Sequence, residues 1–204
     1  MAIQTLGDLK ASIADWMFDR QDLAAVAGDF VTLCQADLNR VLRTRRQLTS
    51  ATLTLGSDGE ADIPADYLQF REVTAILNPR RVLEFVAPTY RDWAYPYKFA
   101  DLPNVFTISG AKLIVRPKTS ADIGFEYWAK LPEMVDETDS NWLLQEHPGL
   151  YLYGCLKHAS IYIGNQGRAD TMANAQAGLI DVLVADDRLG VYSRASARMS
   201  RRGP

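Results

Sequence analysis

Histidine and cysteine are nearly absent: the 204-residue chain has two of each, His147, His158, Cys34 and Cys155. None of them forms an HxxxH or mixed Cys/His spacing, which excludes the ordinary zinc and metalloprotease signatures. Two cysteines in apolar, helical settings are expected to be small core residues in a reducing compartment, not a disulfide framework. The chain also lacks GxSxG, GxxxxGK[ST] and GxGxxG, so neither an esterase elbow nor a phosphate-cradling loop is indicated. No apolar run reaches the roughly 18 residues of a membrane helix. The opening MAIQTLGDLKASIADW has no basic segment leading into an apolar one, so a cytosolic product is expected. A formal net charge of -3 gives no reason for whole-surface nucleic-acid binding.

What is present suits one globular domain, or one domain with an inserted lobe: 48% of the residues are apolar. The most informative stretch is Asn141 to Gly164, NWLLQEHPGLYLYGCLKHASIYIG. Asp139, Ser140 or Asn141 would cap a short turn, and Pro148 takes a first helical position. From Leu150 to Ile163 the run is apolar nearly all round, as expected of a buried central helix. Gly154 and Ala159 are small enough for close packing.

Taken in order, Thr5 to Asp8 has the spacing of an N-cap with an acid three residues on, followed by Leu6, Leu9, Ile13, Trp16 and Met17 at helical spacing. A second helix starts near Gly28-Asp29, with Phe30, Leu33, Cys34, Leu38 and Val41 as its expected buried face. It ends in Arg40, Arg43, Arg45 and Arg46. These cations complement the helix dipole, and they also suit an interface to an acidic partner or to DNA.

From Ser50 the period changes to two. Ala51–Leu55 reads as a strand, Gly56–Gly59 as a turn, and Glu60–Pro64 as a short returning partner. Phe70–Leu77 and Arg81–Val86 read as strands, Pro88–Tyr95 as a helical turn, and Val105–Ser109 with Lys112–Arg116 as a hairpin around Gly110-Ala111. Ile123–Lys130 follows, with Phe125, Tyr127 and Ala129 on one face. A last helix is expected over about Ala169–Arg188, with Met172, Gln176, Leu179, Ile180, Leu183 and Val184 on its face.

The expected fold is therefore α+β: a bundle of about four helices, residues 1–49 and 133–190, with a small antiparallel β lobe at 50–132 inserted. Residues 191–204, containing Arg194, Arg198, Met199, Arg201 and Arg202 and no acid, are expected to form a basic, flexible C-terminal arm.

Tests for chemistry come back empty. Asp58, Glu60 and Asp62 lack the remaining positions of a calcium loop, and the acids of 133–139 lack a ligand spacing. Asp186-Asp187 point different ways on a helix, unlike a glycosidase pair. His147 is explained by helix capping and His158 as a satisfied core residue. Phe70, Phe85, Tyr90, Trp93, Phe106, Tyr127 and Trp128 are not interleaved with cations as in a single-strand binder, so they are expected to pack cores and subunits. No enzyme activity, cofactor or metal is expected.

Three pieces of sequence resemble the head-to-tail adaptor (connector) proteins of tailed bacteriophages and related gene transfer agents. They are Asp37-Leu38-Asn39-Arg40-Val41-Leu42-Arg43-Thr44-Arg45; Ala51–Leu55 followed by Ile63-Pro64-Ala65-Asp66-Tyr67-Leu68; and Asn141-Trp142-Leu143-Leu144 through His147-Pro148 to Leu150-Tyr151-Leu152-Tyr153-Gly154. Gln47-Leu48 departs from the family pattern, where an acid after the arginines is common, and this bears on the subgroup. The resemblance implies a structural virion protein in the neck between head and tail, assembled in the host cytoplasm. It implies a ring, usually of twelve copies, with a portal protein above, tail or nozzle proteins below, and genome DNA passing through the lumen without specific binding. No membrane is involved. The arm carrying Arg194 to Arg202 would insert into the portal, and Arg40, Arg43, Arg45 and Arg46 would meet a neighbouring subunit or partner. The competing readings are another tail-completion or stopper protein, a nucleic-acid-binding regulator using the basic helix end, and a small enzyme around Asp136–Asp139 and His147.

Overall fold

The computed structural model describes residues 2–18, 21–89 and 102–192. The chain divides into two units, Met1–Arg45 with Leu131–Pro204, and Arg46–Lys130.

In the first unit, α1 (Leu6–Trp16) opens with a reciprocal cap. Thr5 Oγ1 accepts from the Asp8 amide at 3.2 Å, and the Asp8 carboxylate accepts from the Thr5 amide at 3.1 Å. Its spacing sends Leu6, Leu9 and Ile13 into the core. A single turn, α2 (Gln21–Ala24), and then α3 (Ala27–Val41) follow. The buried face of α3 is Ala27, Phe30, Val31, Cys34, Gln35 and Leu38. Leu33 and Val41, expected inside, are 50% and 58% exposed. The helix is rolled by about one residue because Gln35 finds partners: its amide donates to the Leu131 and Pro132 carbonyls at 3.1 and 3.2 Å. A glutamine satisfied in this way takes a core position that an apolar template assigns elsewhere.

Asn141 caps α4 (Trp142–Glu146), and Pro148 opens α5 (Pro148–Tyr162). The expectation of a buried central helix holds, with Leu150, Tyr151, Leu152, Gly154, Cys155, Leu156, Ala159 and Ser160 all buried. Gly154 sits where α3, α5 and α6 (Gln166–Tyr192) converge; a Cβ there would collide with Cys34 Sγ and the Gln176 side chain. The turn into α6 passes through Gly164, whose φ of 76° suits glycine. Gln176 reaches back across the hairpin to the Leu150 carbonyl at 3.0 Å. Of the expected α6 face, Gln176 is buried, Met172, Ile180 and Leu183 pack against the core, and Leu179 is 38% exposed.

The second unit is more than a small lobe. It holds β1 (Leu48–Leu53), β2 (Glu60–Asp62), β3 (Tyr67–Ala75), β4 (Arg81–Val82), β5 (Glu84–Phe85), β6 (Val105–Ser109), β7 (Lys112–Arg116) and β8 (Ile123–Ala129). They form two four-stranded sheets, ordered β1-β8-β3-β4 and β2-β7-β6-β5. Pairing is antiparallel except between β5 and β6, which run parallel. The expected return of β2 onto β1 is not what forms: Glu60 and Asp62 pair with Ile114 and Lys112 of β7. Arg81–Val86 is likewise two strands in different sheets, separated at buried Leu83. The hairpin of β6 and β7 does form as expected, with Ser109 opposite Lys112 and Gly110 at a φ of 60°. Phe125, Tyr127 and Ala129 are buried on β8, and one core draws on both sheets, including Val73, Ile123 and Phe125 from one and Phe106, Leu113 and Val115 from the other. Most of the Pro88–Tyr95 turn lies outside the described residues.

Candidate functional site

Several polar residues of the three pieces hold the fold. Asn39 Oδ1 accepts from the Leu131 amide at 2.9 Å, tying α3 to the segment that re-enters the helical unit. Asp66 ties the start of β3 to the end of β8: its carboxylate accepts from the Tyr127 hydroxyl at 3.0 Å and its carbonyl from the Lys130 amide at 2.7 Å. Burial, then Asp66, pushes the Tyr127 phenol up to about 12. Asn141 Oδ1 accepts from the Leu144 amide at 2.9 Å, while its Nδ2 donates to the Tyr151 hydroxyl at 2.8 Å and the Pro132 carbonyl at 3.1 Å. These side chains are spent on joining elements.

Among the described residues of the helical unit, Asp37, Lys157 and His158 form a compact charged cluster. Asp37 Oδ2 accepts from Lys157 Nζ at 2.5 Å and lies 3.0 Å from His158 Nε2. Burial raises the Asp37 carboxyl, but the Lys157 hydrogen bond and charge, then His158, outweigh it and the net shift is downward. Burial and the neighbouring ammonium lower the His158 imidazole despite Asp37. At neutral pH the His158 contact is therefore a hydrogen bond to a carboxylate already neutralised by Lys157, not a second ion pair. Sequence reasoning placed His158 as a satisfied core residue but could not see its partner.

His147 stands at the N-cap position of α5 but makes no side-chain cap hydrogen bond, so the capping expected to explain it does not form; Asn141 caps α4. Cys34 and Cys155 are buried and unpaired, and burial pushes the Cys155 thiol up. Among the described residues no group of three or more His, Cys, Asp or Glu is gathered for a metal. In the acidic connector, Asp139 Oδ2 accepts from the Val135 and Asp136 amides at 2.8 Å, and Glu137 pairs with Lys10 at 2.7 Å. Those acids close a turn.

The arginines at the end of α3 take different local roles. Arg43 Nη1 donates to the Asn39 and Leu42 carbonyls, satisfying the helix C-terminus. Arg45 Nε pairs with Asp187 Oδ1 at 3.0 Å. Arg40 and Arg46 are exposed, the latter in the strand-rich unit. Arg194, Arg198, Met199, Arg201 and Arg202 lie outside the described residues.

In the strand-rich unit Phe70 stacks on Phe85 at 5.3 Å, and both meet Phe106 edge-on. This is packing, as expected of those aromatics; Tyr90 and Trp93 lie outside the described residues. Two surface features had no clear signal in the sequence. Phe18 is 83% exposed, and an open groove runs between α1, α3 and Glu133–Val135.

Among the described residues the polar groups named above are committed to the fold, while Phe18 and other apolar groups are left in solvent. The family comparison is specific: the model of the SU10 adaptor protein matches residues 4–202. The chain belongs to the SU10 adaptor protein family, a family of phage head-to-tail adaptors, and is structural and not enzymatic. No curated protein matches it. No helix among the described residues is long and apolar enough to cross a membrane.

Proposed function

We propose that this phage adaptor forms a ring, of about twelve copies as the family resemblance implies, between the portal and the tail of a tailed phage. The observation that carries the reading is the family match, which spans the helical unit, the strand-rich unit and the basic C-terminal residues in one stretch. The helical unit packs side by side around the ring, and the strand-rich unit meets neighbouring subunits or tail proteins. Arg40, Arg43, Arg45 and Arg46 lie at an inter-subunit or partner contact, and genome DNA passes through the lumen without specific binding. The segment with Arg194, Arg198, Met199, Arg201 and Arg202 docks on an acidic portal surface. A basic arm of this kind loses ordering entropy on docking but covers a large complementary surface.

Co-sedimentation with the cognate portal tests this directly. The full chain is expected to sediment with the portal, and a chain lacking residues 194–204 is expected to stay in the supernatant with an unchanged circular dichroism spectrum. Equal sedimentation of the two would remove the arm from the account. Failure of the full chain to sediment would remove the adaptor role.

A further inference from the structure

The helical unit presents two features of opposite shape. The first is Phe18, just past the end of α1, with a φ of 64° in the sparsely populated left-handed region and 83% of its surface exposed. Its ring is held in place: the Arg168 guanidinium lies over it, 5.2 Å from the centroid, and Arg168 Nη2 donates to the Trp16 carbonyl at 2.6 Å. A strained backbone and a fixed cation thus present an aromatic ring to water. Trp16, 45% exposed, extends the apolar surface.

The second feature is the groove, about 460 Å³ in volume. Gly28, Thr32 and Ala36 of α3 lie along it at intervals of four, leaving it open, while Leu6 and Val31 add apolar lining. Lys10 on its edge is neutralised by Glu137. Glu133, also on the edge, has no ion pair among the described residues, and neither has Arg168 beside Phe18.

We propose that Phe18 of one copy seats in the groove of the next copy, bringing Arg168 to Glu133. Shape and charge both match, because an aromatic flanked by a cation meets an open groove of mixed lining, apolar at Leu6, Val31 and Met134 and polar at Gln35 and Asn39, flanked by an anion. Leu6 and Phe18 stand at opposite ends of α1, about 18 Å apart at 1.5 Å per residue, so a chain does not fill its own groove. The contact is then heterologous, the kind that closes a ring when the rotation between copies closes. A buried aromatic removes about 150–250 Å² from water, well short of the roughly 800 Å² per partner of a stable interface. Phe18 is therefore the anchor of a wider contact and not the whole of it. The inference rests on the ring reading and deepens it.

The test uses full-length chains and the cognate portal, scoring adaptor copies per portal by mass measurement. Phe18→Ala, which empties the knob, and Ala36→Trp, which fills the groove, are expected to lower occupancy at least tenfold while keeping the wild-type melting temperature. Arg168→Glu is expected to lower occupancy, and adding Glu133→Arg to it to restore most of the loss. That rescue does not depend on how well Phe18→Ala folds. Full occupancy in Phe18→Ala and Ala36→Trp, or absence of rescue by the charge swap, overturns this contact and leaves the ring standing. A wild-type chain that adds no ring to the portal overturns both.

Discussion

At Asn141 a single side-chain amide serves two elements, capping α4 through Oδ1 and holding the Tyr151 hydroxyl through Nδ2. Tyr151 is fully buried, and burial pushes its phenol well above the ordinary range. Asn141→Ala removes a cap, about 1 kcal/mol, and leaves a buried hydroxyl without its partner, about 1–3 kcal/mol. The expected loss of stability is therefore roughly 2–4 kcal/mol, read from urea unfolding. A loss well under 1 kcal/mol would mean that water or a neighbour replaces the amide. The cap was legible in the sequence, because a polar residue before an apolar run is a helix-start signal. The bond to Tyr151 was not, since nothing in a sequence says which buried hydroxyl an amide will meet. The same limit applies to His158 and Asp37, and to Gln35, whose carbonyl partners belong to a segment 96 and 97 positions away.

Between elements, α3 and α5 are linked at their surface by Asp37, Lys157 and His158, and this link carries a pH dependence. The His158 imidazole titrates below its ordinary 6.5 in the folded protein, so the unfolded chain takes up a proton more readily. Its contribution is present above that ordinary value and is lost as pH falls through the lower, folded one. The Asp37 carboxyl is also depressed, so its contribution persists down to its ordinary 3.8 and is lost only below. The melting temperature of the wild type is expected to fall from pH 7 to pH 5 more steeply than that of His158→Gln. Parallel curves would show that His158 does not titrate with folding.

Elements fixed by local chemistry were legible: the capped α1, the apolar α5, and the hairpin around Gly110. Elements fixed by distant pairing were not. β2 chose β7 over its sequence neighbour β1, and Arg81–Val86 split between two sheets, because strand partners depend on contacts that no short window contains. Phe18 and the groove are not legible in the sequence for a similar reason. One is a backbone angle, and the other is the space left between three segments.

For the whole molecule, the charged clusters that might have suggested chemistry are occupied in holding helices and turns, and family membership assigns the chain to phage adaptors. A structural part of this kind is judged by what it assembles into. The central claim is that it builds an axial ring on the portal, and negative-stain electron microscopy of the purified chain mixed with its cognate portal tests that most directly. The account predicts an added ring of density, coaxial with the portal and confined to one of its ends. Portal particles unchanged by a molar excess of the chain would contradict it.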